Sequence, residues 1–379
     1  MNPATVEQPA PGAKAPAKAE WQLRMWMGCD FFAWVRLVVR NRCALSLSRL
    51  CYFFSISTVA FFHTLLRWLQ QARYGRRIAR TPIREAPIFV IGHWRTGTTF
   101  LHELLALDSR HTFPTSSECL DPTHFLLTEG VSTRLLRFLL PSRRPMDNMA
   151  VGWGRPQEDE FALCMLGQPS PYLTIAFPNH PPAYPEYLDL EDVPPRALAS
   201  WKHTFLTFLR ALTFKKPGRL VLKSPPHTCR IKVLRELFPE ARFVHIVRDP
   251  YAVFPSTVHM LKSLYRMHGL QRPTYEGLEE YVFTTFNRMY EKLEETRGLV
   301  EAQRFHELKY EDLVRDPIGE MRRLYEGLEL GGFKEYLPRL EAYLATSKGY
   351  ETNRYELTPE QHAEIARRWG WVIQRYGYE

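Results

Sequence analysis

Pro87-Ile88-Phe89-Val90-Ile91-Gly92-His93-Trp94-Arg95-Thr96-Gly97-Thr98-Thr99 joins a short apolar run to a turn with two spaced glycines. The run 87–91 is continuously apolar, as strands buried on both faces of a parallel sheet are. Residues 99–107 that follow read as a helix. The glycines stand at the G-x-x-x-x-G spacing of a phosphate loop. Such a loop turns successive backbone N–H groups toward one point, and the helix N-terminus adds partial positive charge. An anion belongs there. The loop departs from the nucleoside-triphosphatase pattern at one position. A Lys after the second Gly would reach β- and γ-phosphates; here Thr98 stands there, and the loop's cation is Arg95. That arrangement suits a donor with one 5'-phosphate bearing a further group better than it suits ATP or GTP.

The pattern repeats outward from this loop. Residues 219–223, 242–247 and 305–310 read as further strands, and 231–238 as a helix between two of them. The alternation predicts an α/β fold: a P-loop-like parallel sheet flanked by helices. Residues 120–215 read as a helical insertion with Pro-rich loops, and 335–379 as helices closing the domain. Two strand ends carry cations. Arg248 follows the strand 242–247, with Ser256 eight residues on in the next helix. Both can reach one phosphate, and a guanidinium suits bidentate phosphate contact. Lys223 ends its own strand within Leu222-Lys223-Ser224-Pro225-Pro226-His227, on the same carboxyl edge as Gly92 and Arg248. Carboxyl ends of parallel strands are where such sheets gather ligands.

Residues 93–99 resemble the 5'-phosphosulfate loop of sulfotransferases that use PAPS (3'-phosphoadenosine-5'-phosphosulfate). The resemblance is to the branch with Arg in the loop, which includes the protein-tyrosine sulfotransferases and many bacterial relatives. Arg248 and Ser256 resemble that family's 3'-phosphate motif, and Lys309-Tyr310-Glu311-Asp312-Leu313 resembles a segment whose Tyr lies against the adenine. The similar stretches span residues 87 to about 317. The resemblance implies a sulfotransferase with PAPS as co-substrate. Gly92, Arg95, Thr96, Gly97, Thr98, Thr99, Arg248, Ser256 and Tyr310 would bind it. Arg95 and Lys223 would meet the charge that grows on the departing bridging oxygen. A sulfuryl group carries less charge than a phosphoryl group, so no metal is demanded, and the sequence offers no Asp-rich magnesium site. An acceptor hydroxyl must also lose a proton to a base within hydrogen-bond reach. By resemblance the first candidate is Glu118. Glu158, Asp159 and Glu160 form a second group, and His93 and His102 a third. Two alternatives stay open: a P-loop nucleotide kinase or NTPase, and a non-catalytic membrane-associated module on the same fold.

Residues 1–20 are rich in Ala, Pro and Lys and read as a disordered tail. Residues 21–80 form an N-terminal helical appendage, and 81–379 the catalytic domain. Within the appendage Leu50–Phe62 is almost wholly apolar. It is shorter than the roughly 20 residues of a spanning helix. Arg40, Arg42 and Arg49 precede it, and Arg67, Arg73 and Arg76 follow it. Charge of one sign on both flanks suits helices lying in a membrane interface. The alternative is helices packed on the catalytic domain or on a second subunit. The chain of 379 residues carries 50 basic and 41 acidic residues, a formal charge of +9. That excess suits a polyanionic ligand or an anionic membrane, and no nucleic-acid partner is expected. The six cysteines form no CxxC pair and, in so long a chain, no disulfide framework. A reducing compartment follows, so the expected location is the cytoplasm, at the inner face of the membrane. The aromatic and proline content of 120–190 points to a bulky apolar acceptor, whose identity the sequence leaves open.

Overall fold

A computed structural model describes residues 25–128, 130, 152–346 and 355–378. The expected tail 1–20 lies outside these residues. Two helices come first, α1 (Phe31–Arg40) and α2 (Leu50–Ala79). Then follow β1 (Ile88–Ile91), α3 (Thr98–Ala106), β2 (His111–Thr112), α4 (Ser116–Leu120), α5 (Asp159–Met165) and α6 (Pro195–Lys215). The chain continues through β3 (Arg219–Lys223), α7 (Ile231–Leu237), β4 (Arg242–Val247), α8 (Pro250–His268) and α9 (Leu278–Arg297). It ends with β5 (Phe305–Lys309), α10 (Tyr310–Arg315), α11 (Pro317–Gly327), α12 (Phe333–Thr346) and α13 (Pro359–Tyr376).

The strands form one parallel sheet in the order β2-β3-β1-β4-β5. β1 is central: Phe89 registers with Leu222 of β3 on one side and Phe243 of β4 on the other. Its continuous apolar run is explained by this position, because both faces are covered. Phe89, Ile91, Leu222 and Phe243 point into one core, and Ile88, Val90, Val221 and Val244 into the other. The register sets Lys223 beside Val90 and His245 beside Ile91, so Gly92, Lys223 and Arg248 leave the same carboxyl edge within a few residues of one another. The described part of the insertion 120–215 holds α5, α6 and two short 3-10 turns, Pro171–Ile175 and Pro185–Tyr187.

The N-terminal helices share the larger core, with Trp26, Trp34, Ile56, Ala60 and Ile78 in the same apolar cluster as Phe89 and Trp201. Asp30 ties them together. It caps α1 by accepting from the Phe32 and Ala33 N–H groups, and it accepts from the Thr64 hydroxyl and pairs with Arg67, both on α2. The apolar segment Leu50–Phe62 is thus the start of a helix of 30 residues, and Leu47–Ala79 is long and apolar enough to cross a membrane by length and composition. Its buried residues, Ile56, Ala60, Thr64, Gln70, Gly75 and Ile78, recur along almost its whole length. That face is occupied by protein.

Candidate active site

The loop after β1 is built by backbone conformations that few residues adopt. Gly92 has φ +148°, Gly97 φ +98°, and Arg95 φ +69°. A non-glycine residue there costs roughly 1–3 kcal/mol, and such strain collects at functional sites. The Gly92 N–H donates to the Thr228 hydroxyl (2.8 Å), and the Thr96 hydroxyl donates to the His93 carbonyl (2.7 Å). Gly97 is the N-cap of α3, so the N–H groups of Thr98 and Thr99 open a helix, where orphan donors and the dipole favour an anion. A Cβ at Gly97 would lie 2.3 Å from the Tyr310 ring. Glycine is therefore required for Tyr310 to close over the loop.

Around this loop the structure gathers most of the residues singled out above. The Arg95 Nε donates to the Ser256 hydroxyl (2.8 Å). Arg248 donates through Nη1 to the Arg95 carbonyl (3.1 Å), and its guanidinium sits 4.4 Å over the Tyr310 ring. Arg95, Arg248, Ser256 and Tyr310 are thus one cluster beside the helix N-terminus. The donor set fits a nucleotide with phosphates at both ends: two guanidiniums, a hydroxyl and the loop amides, with an aromatic ring beside them.

Lys223 is buried at the end of β3. Its Nζ donates to Glu158 Oε1 (2.6 Å) and to the Thr99 hydroxyl (3.3 Å). Glu158 Oε2 accepts from the Tyr172 hydroxyl (2.5 Å), which itself accepts from the Trp94 Nε1–H (3.0 Å). A chain of hydrogen bonds therefore runs from the loop's Trp94 through Tyr172 and Glu158 to Lys223 and back to Thr99. Burial and the neighbouring Glu158 carboxylate push the Tyr172 phenol well above its ordinary value, so it stays a donor.

The acidic run 158–160 opens α5, and each carboxylate has a separate base from the segment 223–230. Glu158 pairs with Lys223. Asp159 pairs with His227 (2.7 Å) and accepts from the Ser224 hydroxyl (3.1 Å). Glu160 pairs with Arg230 (2.5 Å) and accepts from the Ser170 hydroxyl (2.5 Å). Asp159, Glu160, His227 and Arg230 are completely buried. Those two pairs are internal, and removing one partner of such a pair costs about 3–5 kcal/mol. Glu158, with 14% of its side chain exposed, is the member that reaches solvent.

Glu118 is placed differently. Its Oε2 accepts from the Thr115 N–H (2.7 Å) and hydroxyl (2.9 Å) in a capping box, and Oε1 accepts from Lys215 (2.7 Å). Those partners fill the carboxylate, and they belong to α4 and α6 rather than to the loop. His93 donates through Nδ1 to the Trp94 carbonyl (2.8 Å), and burial lowers it to about 4. His102 is lowered to about 3 by burial and by Lys223, and its Nε2 faces the Val221 carbonyl (3.2 Å). Thr228, Tyr172 and Trp94 join the site without having been singled out as binding residues. Thr228 follows the Lys223 turn closely; Tyr172 lies in a Pro-rich loop with no pattern to mark it.

The model of the sulfotransferase family matches residues 87–335. The chain is 53% identical to the omega-hydroxy-beta-dihydromenaquinone-9 sulfotransferase Stf3 of Mycobacterium tuberculosis, over 95% of this chain and 92% of that one. The Mycobacterium bovis protein of the same name is equally similar. Carbohydrate sulfotransferase 4 of Mus musculus is 26% identical over 41% of this chain and 43% of its own length. Among solved structures, sulfotransferase STF9 of Mycobacterium avium superposes with a TM-score of 0.64 at 22% identity, covering 86% of each chain. STF1 of Mycobacterium tuberculosis gives 0.62 at 19% identity, over 91% of this chain and 94% of that one. These two similarities show a shared fold.

Proposed function

The chain belongs to the sulfotransferase family and is a sulfotransferase with a PAPS-type donor, and from that premise we propose that it sulfates a hydroxyl on a long apolar, isoprenoid-type acceptor met at a membrane surface. The family assignment sets aside the kinase and scaffold alternatives. The Arg95–Ser256–Arg248–Tyr310 cluster beside the loop amides is the observation that carries the donor site. Gly92, Thr96, Gly97, Thr98 and Thr99 form the 5' end of that site, and Arg248 with Ser256 the 3' end.

Transfer is an in-line displacement at sulfur. The acceptor oxygen forms the new O–S bond as the bond from sulfur to the bridging oxygen breaks. Arg95, Lys223 and the loop amides meet the charge left on that oxygen. The acceptor proton goes to Glu158, which takes the place of Glu118 as base. Three features support this choice: Glu158 is partly exposed, it contacts Lys223 directly, and Tyr172 fixes the plane of its carboxylate. In this arrangement Lys223 is shared between base and leaving oxygen, which places the two events side by side.

The acceptor class rests on the 53% identical relative, whose name gives an omega-hydroxylated dihydromenaquinone, and on the outer face of the N-terminal helices. Phe54, Phe61, Phe62, Leu65, Trp68 and Leu69 of α2 are exposed, as are Phe32, Val35 and Val39 of α1. Arg49 precedes α2, and Arg76 and Arg77 lie in its last turn. A helix bound to the domain along one face and apolar on the other suits lying in the interface, with arginines at headgroup level. The test is transfer of radiolabelled sulfuryl from PAPS to an omega-hydroxylated menaquinol in vesicles and to a small polar sugar. Label in the lipid fraction is the expected result. Preferential labelling of the sugar would overturn the acceptor class, and no transfer to any acceptor would overturn the assignment of the site.

A further inference from the structure

A cluster that shares no residue with the transfer site lies where α2 meets the segment after α4. His63 on α2, Asp121 and His124 each offer one ligand atom, and these atoms lie within 4.8 Å of one another. The His63 Nδ1 is 3.6 Å from Asp121 Oδ1, too long for a good hydrogen bond. The two imidazoles meet edge to face, with centroids 4.5 Å apart.

The inner nitrogens of both rings are buried and have no hydrogen-bond partner: Nδ1 of His63 and Nε2 of His124. His124 is only 2% exposed. Orphaned buried polar atoms are uncommon in folded proteins and call for a physical reason. The other nitrogen explains how the His124 ring is set. The Thr128 hydroxyl donates to the His124 carbonyl, so its oxygen receives the His124 Nδ1–H at 2.7 Å. That leaves the His124 Nε2 lone pair facing the cluster. The His63 Nδ1 likewise faces the cluster, with Asp121 Oδ1 at 3.6 Å and no hydrogen bond made. A ligating histidine characteristically donates its second nitrogen to a fixed acceptor, as His124 does to Thr128, fixing tautomer and orientation.

The backbone around the cluster is also fixed. The buried Gln70 of α2 donates to the Thr123 carbonyl (2.9 Å) and accepts from the Leu126 N–H (2.9 Å). One side chain thus clamps the segment carrying Asp121 and His124 against the helix carrying His63. A Cβ at Gly28 would come within 1.4 Å of the Leu120 carbonyl, so the turn before α1 also sits against this segment. Two imidazole nitrogens and one carboxylate oxygen are a donor set that zinc accepts, with a water in the fourth position. A tetrahedral zinc shell with bonds near 2.1 Å has ligand atoms about 3.4 Å apart. The His63–Asp121 separation is already close to that, and small rotations of the side chains would bring in the third ligand.

We propose that His63, Asp121 and His124 form a divalent-metal site that takes zinc and staples the N-terminal helix pair to the catalytic domain. The site would act on the attachment of α2, and through it on the apolar face that α1 and α2 present, rather than on sulfuryl transfer itself.

The test uses the full chain, stripped with a chelator and then titrated with zinc alone against a chromogenic competitor. One equivalent should bind per chain. The thermal midpoint should rise by about 3–5 °C at a hundredfold excess over Kd. Cobalt in place of zinc should give the visible absorption of a four-coordinate nitrogen–oxygen site. His63→Ala with His124→Ala should abolish all three signals. Asp121→Asn keeps the size of the side chain, so it guards against a folding defect: it should retain the stripped protein's midpoint and weaken zinc at least tenfold. A wild-type chain that takes up no zinc overturns the proposal. So does equal uptake by the wild type and the double variant.

Discussion

Glu158→Gln separates the two carboxylates between which the proton transfer was to be assigned. The amide keeps an oxygen for Lys223 and is nearly the same size, so packing is preserved. What is lost is the charge beside a lysine that is only 2% exposed, and an acceptor for the Tyr172 hydroxyl. Hydrogen bonds to charged groups contribute about 1.5–3 kcal/mol, so the variant should melt a few degrees lower and remain folded. Removal of a general base costs about 10²–10⁴ in rate, which is about 3–5 kcal/mol of barrier. PAP (3',5'-adenosine bisphosphate) should bind within about threefold of wild type, since Glu158 touches neither Arg248 nor Ser256. Glu118→Gln is the control. Its oxygen can still serve the Thr115 cap, and the charged hydrogen bond from Lys215 is lost at a carboxylate only 5% exposed, so about 1.5–3 kcal/mol of stability is at stake but no contact to the loop. Turnover should stay within about twofold. Tyr172→Phe should fall between them, because the carboxylate loses the donor that fixes its plane. The assay is single-turnover transfer of labelled sulfuryl, with PAP affinity by calorimetry. Near-normal turnover by Glu158→Gln, or a hundredfold loss in Glu118→Gln, would refute the reasoning.

Five further outcomes are expected. Arg248→Ala should weaken PAP by about 10–100-fold, the loss of a charged hydrogen bond, whereas Arg95→Ala should lower kcat by about 10²–10³ with a much smaller change in PAP affinity; calorimetry and kinetics check both. Gly97→Ala should abolish PAP binding while circular dichroism stays that of a folded chain, because the new Cβ meets the Tyr310 ring and φ is +98°. Burial raises the Glu307 carboxyl, but His245, Arg297 and Tyr376 outweigh it and hold it at about 2. A carboxyl depressed by folding contributes stability above its unfolded value of about 4.3 and loses it as pH falls toward 2, so the thermal midpoint should drop across that window and Glu307→Gln should flatten the slope. Phe61→Glu with Trp68→Glu should reduce cosedimentation with anionic vesicles at least fivefold while transfer to a detergent-dispersed acceptor is retained; unchanged cosedimentation would remove α2 from the membrane.

The central strands were legible because β1, β3 and β4 are buried on both faces and read as mostly apolar runs, whereas the edge strand β2 is only His111 and Thr112 and left no pattern. The candidate donor site was legible because it is local: the loop lies in one stretch, and Arg248 and Ser256 are about two helical turns apart. The base was not. The run 158–160 looks like an ordinary helix start until its partners are known, and Lys223, His227 and Arg230 lie 65 to 70 residues on. Their own spacing, from a strand end across a 3-10 turn, has no meaning until the start of α5 lies against them. For Glu118 a local signal did exist: Thr115-x-x-Glu118 has the form of a capping box, which ties that carboxylate to its own helix. The length of α2 was also hidden, since its arginines interrupt the apolar run without interrupting the helix. The His63, Asp121 and His124 cluster joins residues some sixty positions apart, so no ligand spacing could announce it.

Crystals of the full chain soaked with PAP test the donor site most directly. The nucleotide should span the carboxyl edge of the sheet, its 5'-phosphate on the amides of residues 96–99 and its 3'-phosphate between Arg248 and Ser256. A nucleotide bound elsewhere, or reversed end for end in that cleft, would contradict the account.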